Sequence, residues 1–514
     1  MTVGHGYVPL TVADGIRASL HHGAGRVALR EADRSLTYGR LVERIDRIGN
    51  AAHGLGLRRG DHVALMAPNC LEFVEIVCGL AAVGVAVAMI SPRATAAEVG
   101  EICGDCEARM LMVHPDTAEV AHAADLSGVE SVVEIGEPYE ALLSRASTAA
   151  PSVDIDESDI FCIPYTSGTT GRAKGVLLPH RARAWTFFAM AVEFGCFGPG
   201  RRALAATGLN YGAGFSFAVA PLFFGGTTII LGRFEPDAML RLIESERVTS
   251  AFTVPTQLND VLSLGESERA RHRTCSLQAL ISNAAPLSQP AKERLVQWLG
   301  DDTLFEAYGS TEGGWISAIH PRDQLTKPGS VGHPLPCTRV RIVDADGDEV
   351  PVGETGELLV RSPFMFSGYW RREAETAAAF RDGWFATGDV ARFDDDGYLY
   401  LVDRMNDLII SGGVNVYPRE VEDALLRHVS VAEVAVFGIP DERWGEAVHA
   451  TVALRPGAQA SERELLDHCS KLLAGPKRPK AIDFAPSLPH NSAGKVLRRE
   501  LRQPFWEARD RLVS

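Results

Sequence analysis

One short loop of the chain combines residue types that suit a polyphosphate. It runs from Thr166 to Gly175, directly after the apolar segment Ile160–Tyr165, and holds three glycines, four hydroxyl side chains and a lysine. Glycine lets the backbone turn its N–H groups toward an anion, hydroxyls add donors, and Lys174 adds a positive charge. Counted from Gly168 the lysine comes one position too late for a Walker loop, and no Gly-Lys-Ser or Gly-Lys-Thr occurs. The loop predicts a triphosphate cradle; a flexible polar surface loop is the alternative.

Among the charged residues that stand beside glycines are Glu312, Asp389 and Lys495, and bare backbone there allows a ligand to approach closely. Glu312 lies among Gly309, Gly313 and Gly314, Asp389 follows Gly388, and Lys495 follows Gly494. A carboxylate is a usual ligand of Mg²⁺ and a natural acceptor for a vicinal diol. A lysine ammonium can contact two anions together and offset their repulsion. Asp389 could instead cap a turn, and Lys495 could be one more solvated charge in a basic stretch.

Alternating helix and strand patterns surround these residues, which predicts parallel sheets covered by helices. One helix face is marked by Leu41, Ile45, Ile48, Ala52 and Leu55, with Thr37 as the expected N-cap. The other elements expected in the first 115 residues are strands at Val63–Met66, Val85–Met89 and Met110–Val113 and helices at Glu72–Val83 and Thr95–Cys106. A second alternating block is expected from Ile160 to Ile319, with strands at Thr227–Leu231 and Leu277–Ile281.

The pattern changes after Pro328. Short strands alternate with turns at Asp344–Gly347, Arg381–Gly383 and Asp394–Gly397, which predicts antiparallel pairing. From about Arg404 there is room for one small α+β unit. We therefore predict an α/β protein with two domains. Residues 1–403 would form a large multi-layer N-terminal domain, with parallel-type sheets and a smaller β-rich subdomain, and residues 404–514 a small α+β C-terminal domain.

Composition argues against several classes of protein. The formal net charge of −15 disfavours a nucleic-acid surface. The apolar run Ile76–Ile90 is too short to span a membrane and reads as a buried helix, a turn and a strand, and Met1–Gly15 has no secretory pattern. Of the nine cysteines only Cys103 and Cys106 form a CxxC pair, and no second pair of zinc ligands follows. We expect a soluble cytoplasmic protein with no integral membrane segment and no nucleic-acid partner.

Five motifs follow one another along the chain. They are Tyr165–Val176, Tyr308–Glu312, Trp384–Asp389, Asp403–Asp407 with Gly412–Val416, and Pro489–Lys495. Together they resemble the motifs of the adenylate-forming superfamily, which includes acyl-CoA synthetases, peptide-synthetase adenylation domains and luciferases. The resemblance implies that ATP and Mg²⁺ are used to convert a carboxylic acid into an acyl-adenylate and pyrophosphate. It further implies acyl transfer to the thiol of coenzyme A, with release of AMP.

The resemblance also implies roles for individual residues. Lys495, Thr311 and Glu312 would be catalytic, with Lys495 on the reacting carboxylate, Thr311 on the α-phosphate and Glu312 as the ligand of Mg²⁺. Tyr308 would stack on adenine, and Asp389 and Arg404 would bind the ribose. The full set of implied ATP- or AMP-binding residues is Thr166, Ser167, Gly168, Thr169, Thr170, Gly171, Lys174, Ala284, Ala285, Pro286, Tyr308, Gly309, Asp389 and Arg404.

In the family the small C-terminal domain rotates between the two half-reactions. One pose presents the terminal lysine, here Lys495, for adenylation. The other brings Gly412 and Gly413 against the pantetheine arm of the thiol acceptor. The pivot would be Asn406, where the family usually has Asp or Lys. The resemblance therefore implies a mobile C-terminal domain whose switch differs in its electrostatics.

The acyl pocket in this family is lined by segments that correspond here to Gly208–Phe217 and Ser282–Pro286. The pair Asn210–Tyr211 is similar to the His-Asn-Tyr of aryl-acid-activating members, with Leu209 at the histidine position. Asn283 replaces a usual glycine, which would shorten the pocket or donate a hydrogen bond. The implied pocket residues are Asn210, Tyr211, Gly212, Phe215, Ser282, Asn283 and Gly313. We expect an acid of small or medium size, aryl and alicyclic acids included, and not a long fatty chain.

Several alternatives remain open at this stage. A stand-alone adenylation enzyme could load the phosphopantetheine thiol of a carrier protein instead of coenzyme A. A catalytically silent nucleotide-binding protein would keep the fold, although intact Lys495, Glu312 and Asp389 argue against it. An oxygen-dependent luciferase would share the same motifs. Both a monomer and a homodimer are compatible with the sequence.

Overall fold

The computed structural model of the chain describes residues 9–167, 173–404, 407–411, 414–441, 444–490 and 496–513. Its strands form sheets of fourteen, seven and five strands. The first elements are α1 (Val12–Ala18), β1 (Val27–Glu31), β2 (Arg34–Thr37), α2 (Tyr38–Gly54), β3 (His62–Met66), α3 (Leu71–Ala81), β4 (Ala86–Ile90), α4 (Ala96–Asp105), β5 (Ala108–Val113), α5 (Pro115–His122), β6 (Ser131–Glu134) and α6 (Glu137–Arg145).

The middle of the chain adds helices and strands up to residue 404. They are β7 (Ile160–Ser167), β8 (Ala173–Pro179), α7 (His180–Phe194), β9 (Arg202–Ala205), α8 (Gly212–Phe223), β10 (Thr227–Ile230), α9 (Pro236–Ser245), β11 (Ser250–Thr253), α10 (Pro255–Ser263), α11 (Glu266–Arg269), β12 (Ala279–Ser282), α12 (Gln289–Leu299), β13 (Leu304–Ser310), β14 (Gly314–Ile319), β15 (Ser330–Pro334), β16 (Arg339–Val343), β17 (Gly356–Arg361), β18 (Gly368–Tyr369), α13 (Glu373–Ala378), β19 (Phe380–Arg381), β20 (Trp384–Phe393) and β21 (Leu399–Arg404).

The last part of the chain forms the small α+β unit that the sequence predicts. Its elements are β22 (Ile409–Ser411), β23 (Val414–Val416), α14 (Pro418–Leu426), β24 (Val431–Asp441), β25 (Gly445–Leu454), α15 (Glu462–Leu472), β26 (Ala481–Phe484) and α16 (Arg498–Val513). The five strands run β23-β22-β25-β24, with β26 paired to β25. Helices α14 and α15 pack on this sheet through a separate apolar core that includes Val421, Leu425 and Leu465.

The seven-stranded sheet has the order β18-β8-β7-β4-β3-β5-β6. Strands β7, β4, β3, β5 and β6 are parallel, and β8 and β18 add an antiparallel edge. Strands β3 and β4 are buried along their whole length, because helices cover the sheet. The predicted parallel sheet is thus confirmed for the first region.

The fourteen-stranded sheet joins two regions that the sequence analysis separates. Its order is β16-β17-β20-β21-β15-β14-β13-β12-β11-β9-β10-β1-β2, with β19 paired to β20. Neighbours from β1 to β13 are parallel, and those from β13 to β16 are antiparallel. The antiparallel region after Pro328 is confirmed, but its strands continue the second α/β sheet through hairpins instead of forming a sheet of their own.

Helix α2 confirms most of the helix that the apolar periodicity predicts. The Thr37 side chain accepts a hydrogen bond from the backbone N–H of Arg40, so the predicted N-cap is confirmed. The predicted face is buried at Leu41, Ile45, Ile48 and Ala52. Leu55 lies just past the last turn and is 47% exposed, so the apolar face ends earlier than predicted.

Two further predictions can be compared with the structure. The run Ile76–Ile90 divides between α3 and β4, and no helix in the described ranges is long and apolar enough to cross a membrane. Cys103 and Cys106 lie at the end of α4, where burial raises the pKa of each thiol to about 12. Within the described part of the chain no three His, Cys, Asp or Glu side chains converge as a metal site. Both thiols of the CxxC pair are buried.

Candidate active site

The predicted phosphate loop connects two paired strands. β7 and β8 are antiparallel, with Tyr165 opposite Gly175 and Thr166 opposite Lys174. β7 extends to Ser167, two residues beyond its predicted end. Five members of the predicted loop lie outside the described residues, namely Gly168, Thr169, Thr170, Gly171 and Arg172. The pairing brings Thr166 and Lys174 to the same end of this hairpin.

Lys174 is held by two side chains from the region of β18 and α13. Its ammonium forms an ion pair with Glu375 and lies 5.3 Å from the centroid of the Tyr369 ring. The lysine side chain is 14% exposed, so this charge is partly withdrawn from water. An anion that binds at the end of the β7–β8 hairpin would compete with Glu375 for the ammonium.

Residues 311–313 form the tip of the hairpin between β13 and β14. The Ser310 hydroxyl accepts a hydrogen bond from the N–H of Gly313 at 2.9 Å, which closes the turn. Gly309 is required by close packing, because a Cβ at this position would lie 2.2 Å from the carbonyl oxygen of Gly314. The glycines around the tip thus let two strands approach and present the intervening side chains.

Glu312 at this tip is oriented by Tyr369, a residue outside all five sequence motifs. The Tyr369 hydroxyl donates a hydrogen bond to Glu312 Oε1 at 3.0 Å. Burial and the negative charge of Glu312 raise the pKa of Tyr369, so its hydroxyl remains a donor at neutral pH. Tyr369 also stands opposite Val176 of β8. One residue therefore links the hairpin tip to the return strand of the phosphate loop.

Tyr308, Asp389 and Arg404 are brought together from three strands. The Tyr308 hydroxyl donates a hydrogen bond to Asp389 Oδ2. Asp389 in β20 stands opposite Arg404 in β21, and its carboxylate side chain is almost fully buried. A further hydrogen bond runs from the Asp389 N–H to the Thr387 hydroxyl at 3.1 Å. The predicted adenine and ribose residues thus share one location, and their roles stay predictions.

Residues 282–286 leave the end of β12 beside this location. Asn283 donates from its side-chain amide to the carbonyl oxygen of Ala307 at 2.6 Å, so this amide is used within the protein. Ala284 has φ +76°, in the left-handed region that side chains rarely adopt. Ser282 is fully buried, and its hydroxyl has no hydrogen-bond partner among the described residues. Ala285 and Pro286 continue the same irregular segment.

A buried ion pair lies next to residues 282–286 and helps to hold them in place. Glu306 Oε2 lies 3.3 Å from Lys292 Nζ, and both side chains are at least 95% buried. The same carboxylate accepts a hydrogen bond from the N–H of Leu287 at 3.3 Å. Because these partners come from β13 and α12, they hold the segment against the strand that carries Tyr308.

The predicted acyl-pocket segment Gly208–Phe217 begins with a loop that leads into α8, and Asn69 holds this loop in place. The Asn69 amide donates to the carbonyl oxygens of Thr207 at 2.9 Å and Leu231 at 3.0 Å. Its oxygen accepts from the N–H of Leu209 at 2.8 Å. Asn210, the next residue, is 8% exposed. The sequence offered no signal for Asn69, because its partners are far away along the chain.

Tyr211 and Gly212 stand where this loop enters α8. The Tyr211 hydroxyl is buried and has no hydrogen-bond partner in the described part of the chain. Gly212 is closely approached by two side chains, since a Cβ there would lie 3.0 Å from Arg183 Nη2 and 3.8 Å from Thr311 Cγ2. The acyl-pocket loop, the hairpin tip and α7 therefore meet at Gly212. Arg183 was not predicted, because an arginine on a helix usually faces solvent.

Phe215 lies one turn further into α8 and packs in the hydrophobic core. Its ring centroid is 5.8 Å from that of Phe73 and 5.9 Å from that of Phe161, and all three side chains are almost fully buried. These contacts account for an aromatic residue at this position by packing alone. A role of Phe215 in the acyl pocket stays a prediction.

Four predicted residues of the C-terminal part lie outside the described residues, namely Asn406, Gly412, Gly413 and Lys495. Described residues that lie close in sequence to Asn406 and Lys495 contact each other. Arg498 forms ion pairs with Asp407 at 3.0 Å and with Glu422 at 2.6 Å. The residue after the predicted hinge is thereby joined to the helix that follows the predicted terminal lysine.

The arrangement fits a nucleotide that carries Mg²⁺. This ion commonly binds one or two protein carboxylates together with phosphate oxygens and water. Glu312 offers such a carboxylate near the return strand of the phosphate loop. No denser cluster of ligating side chains occurs in the residues that the structure describes. So few protein ligands are suitable for a Mg²⁺ ion that is held mainly by phosphate oxygens and water.

Comparison with known proteins gives consistent relatives over most of the chain. The AMP-binding enzyme profile matches residues 16–370, and the AMP-binding enzyme C-terminal domain profile matches residues 420–495. A feruloyl-CoA synthase from Amycolatopsis sp. is 36% identical over 484 residues, which covers 93% of this chain and 96% of the relative.

Two solved structures have closely similar folds. ATP-bound MatB from Rhodopseudomonas palustris is 30% identical with a TM-score of 0.88, over 96% of this chain and 99% of that one. The anthranilate CoA ligase AuaEII in complex with anthranoyl-AMP is 28% identical with a TM-score of 0.89, over 98% and 99%. Profile, relatives and fold agree with the motifs in their order along the chain. The chain belongs to the AMP-binding enzyme family.

Proposed function

We propose that the protein is an AMP-forming acid–CoA ligase. In the first half-reaction a carboxylate oxygen attacks the α-phosphorus of ATP, and pyrophosphate leaves with the electrons of the broken P–O bond. In the second, the thiol of coenzyme A loses its proton and attacks the acyl carbonyl, and AMP leaves. The observation that carries this proposal is the convergence of the phosphate-loop strands, Glu312 and the Tyr308–Asp389 pair around one site.

The first half-reaction brings two anions together, so the protein must supply positive charge and alignment. We infer that Lys174 and the phosphate loop hold the leaving phosphates and that Lys495 contacts the reacting carboxylate. Thr311 would hold the α-phosphate, and Asp389 the ribose hydroxyls. Mg²⁺ held by Glu312 would neutralise charge on the phosphate oxygens.

We further propose that the acid is aryl or alicyclic. The relatives with feruloyl-CoA synthase and anthranilate CoA ligase activity are named for aromatic acids. Tyr211 supports this choice, because its buried hydroxyl lacks a partner among the described residues and would be satisfied by a polar ring substituent. Asn210 and Gly313 would complete the pocket with Gly212.

The second half-reaction would use the C-terminal part of the chain. We propose a boundary between residues 403 and 404, a pivot at Asn406, and contact of Gly412 and Gly413 with the pantetheine arm. Coenzyme A and the phosphopantetheine of a carrier protein share this arm, and coenzyme A is the acceptor in the names of the relatives given above. Nine free thiols and a dependence on ATP and coenzyme A support a cytoplasmic location.

The proposal is tested by ATP–pyrophosphate exchange across a panel of aryl, alicyclic and linear acids, repeated with coenzyme A and with a carrier protein as acceptor. We expect acid-dependent exchange that Lys495→Ala lowers at least about 1,000-fold, since the ammonium stabilises charge in the transition state. Lys471→Ala, an exposed lysine on α15, is the matched control and should retain exchange. Exchange that survives in Lys495→Ala would contradict the assignment, and no exchange with any acid would contradict the function.

A further inference from the structure

Arg183 is a buried arginine on α7 that points away from solvent. Only 7% of the surface of this residue is exposed. Nη1 donates to the Ser216 hydroxyl at 2.8 Å and, at 3.5 Å, to the carbonyl oxygen of Gly212. Nε is buried and has no hydrogen-bond partner among the described residues. The guanidinium is thus surrounded by neutral groups and is incompletely satisfied.

The charge of Arg183 has no counter-ion in the described part of the chain. A guanidinium stays protonated in proteins, and a buried charge without an opposite charge is costly. The neighbouring Cys162 thiol does not supply the missing charge, since burial raises its pKa although Arg183 lowers it. Ser216 and the Gly212 carbonyl contribute dipoles only. An anion from outside the chain would balance this charge.

The position of Arg183 indicates where such an anion would lie. A Cβ on Gly212 would be 3.0 Å from Arg183 Nη2 and 3.8 Å from Thr311 Cγ2. Gly212 therefore lies in close contact with the guanidinium on one side and faces the tip of the β13–β14 hairpin on the other. Tyr211, the adjacent residue in the chain, carries another buried polar group that has no partner among the described residues.

We propose that Arg183 is a specificity-determining residue that binds a second carboxylate in the acyl part of the acid substrate. This inference rests on the proposed function and narrows its substrate class to dicarboxylic acids. A guanidinium suits a carboxylate because two parallel N–H···O bonds can form. The absence of a side chain at Gly212 keeps the guanidinium uncrowded on this side. The hydroxyl of the adjacent Tyr211, which is buried without a partner among the described residues, can donate to a polar substituent of the same acid.

The test uses the purified full-length chain in ATP–pyrophosphate exchange with matched acids. The pairs are benzoate with phthalate and isophthalate, and cyclohexanecarboxylate with cyclohexane-1,2-dicarboxylate. Salicylate provides a neutral hydroxyl in place of the second carboxylate. We expect the wild type to prefer a dicarboxylate in at least one pair. Arg183→Met should lower kcat/KM for that acid about 100-fold, which corresponds to about 2.7 kcal/mol, and change the monocarboxylate less than about 5-fold.

Arg181→Met is the matched control, because Arg181 is exposed on the same helix. It should leave both members of each pair unchanged. A second variant, Gly212→Ala, places a methyl group 3.0 Å from Arg183 Nη2 and should lose the dicarboxylate selectively. Without acid, Arg183→Met should also unfold at the same or a higher temperature, since an unpaired buried charge is removed. A purely structural arginine would instead lower the midpoint.

Three results would overturn the inference. They are a wild type that shows no preference for any dicarboxylate, an equal loss for both members of a pair in Arg183→Met, and a preference for salicylate alone. In each case exchange with monocarboxylates would persist, so the proposed ligase function would stand. Absence of exchange with every acid would overturn the proposed function, and this inference with it.

Discussion

The hydrogen bond between Tyr369 and Glu312 provides a sharp test of the site. Tyr369→Phe removes one oxygen, which lies 3.0 Å from Glu312 Oε1. The ring would keep its contact with Phe366, at a centroid distance of 5.0 Å, and its position under Lys174. The substitution should therefore leave packing intact and release only the carboxylate that we propose as the ligand of Mg²⁺.

The size of the effect can be estimated from the geometry. A hydrogen bond to a charged group contributes about 1.5–3 kcal/mol, and a half-buried one belongs at the lower end. Each 1.36 kcal/mol is a factor of ten in an equilibrium or rate constant. Loss of a residue that orients a metal ligand costs about 10- to 100-fold in metal affinity. We expect Tyr369→Phe to raise the Mg²⁺ concentration for half-maximal exchange about tenfold.

The measurement is ATP–pyrophosphate exchange as a function of Mg²⁺ at saturating ATP and acid. Tyr400→Phe is the control, because its hydroxyl donates to Asp394 at 3.3 Å in another tyrosine–carboxylate pair away from the site. The control should retain the Mg²⁺ dependence of the wild type. If Tyr369→Phe shifts the midpoint less than about twofold, or if both variants shift alike, the hydroxyl does not orient a metal ligand.

Two further predictions concern pH and nucleotide binding. Burial lowers the pKa of His180 from an ordinary 6.5 to about 4. The unfolded chain therefore binds this proton more readily than the folded one, so the free energy of unfolding is highest above pH 6.5. It should fall by up to about 3 kcal/mol as the pH is lowered from 6.5 to 4. Urea unfolding of His180→Gln should lack that loss, whereas the exposed His53→Gln should keep it; equal slopes would contradict the prediction. Asp389→Asn should weaken AMP binding about tenfold in calorimetry, because a charged acceptor for the ribose is lost, and Asp396→Asn, whose side chain is 70% exposed, should not.

Local patterns predicted much of the fold. Periodicity placed α2 and its Thr37 cap, and continuous apolar runs placed β3 and β4, because these signals depend on neighbours in sequence. Turn residues predicted the antiparallel region after Pro328. The sequence could not predict that β1 and β2 join the far edge of the fourteen-stranded sheet, since that pairing depends on contacts across about two hundred residues.

In the candidate site, too, local motifs predicted some residues, and only the tertiary structure revealed others. Glu312 and Asp389 were predicted from motifs that are contiguous in sequence. Tyr369, Asn69 and Arg183 were not, because each acts through partners that only the tertiary structure brings near. Asn283 illustrates a third case, in which the residue was identified but its amide donates to the Ala307 carbonyl instead of pointing to a ligand.

Strand β18 has a mechanical consequence for the site. It pairs with β8 at Tyr369 and Val176, and the Trp370 N–H donates to the carbonyl oxygen of Gly175 at 2.9 Å. Backbone bonds therefore fix the spacing between Lys174 and the hydroxyl that holds Glu312. When this edge of the sheet fluctuates, both groups are displaced in the same direction. We therefore expect the distance between the Lys174 ammonium, which would face the phosphates, and the Glu312 carboxylate, which would face the metal, to stay nearly constant while the surrounding structure moves.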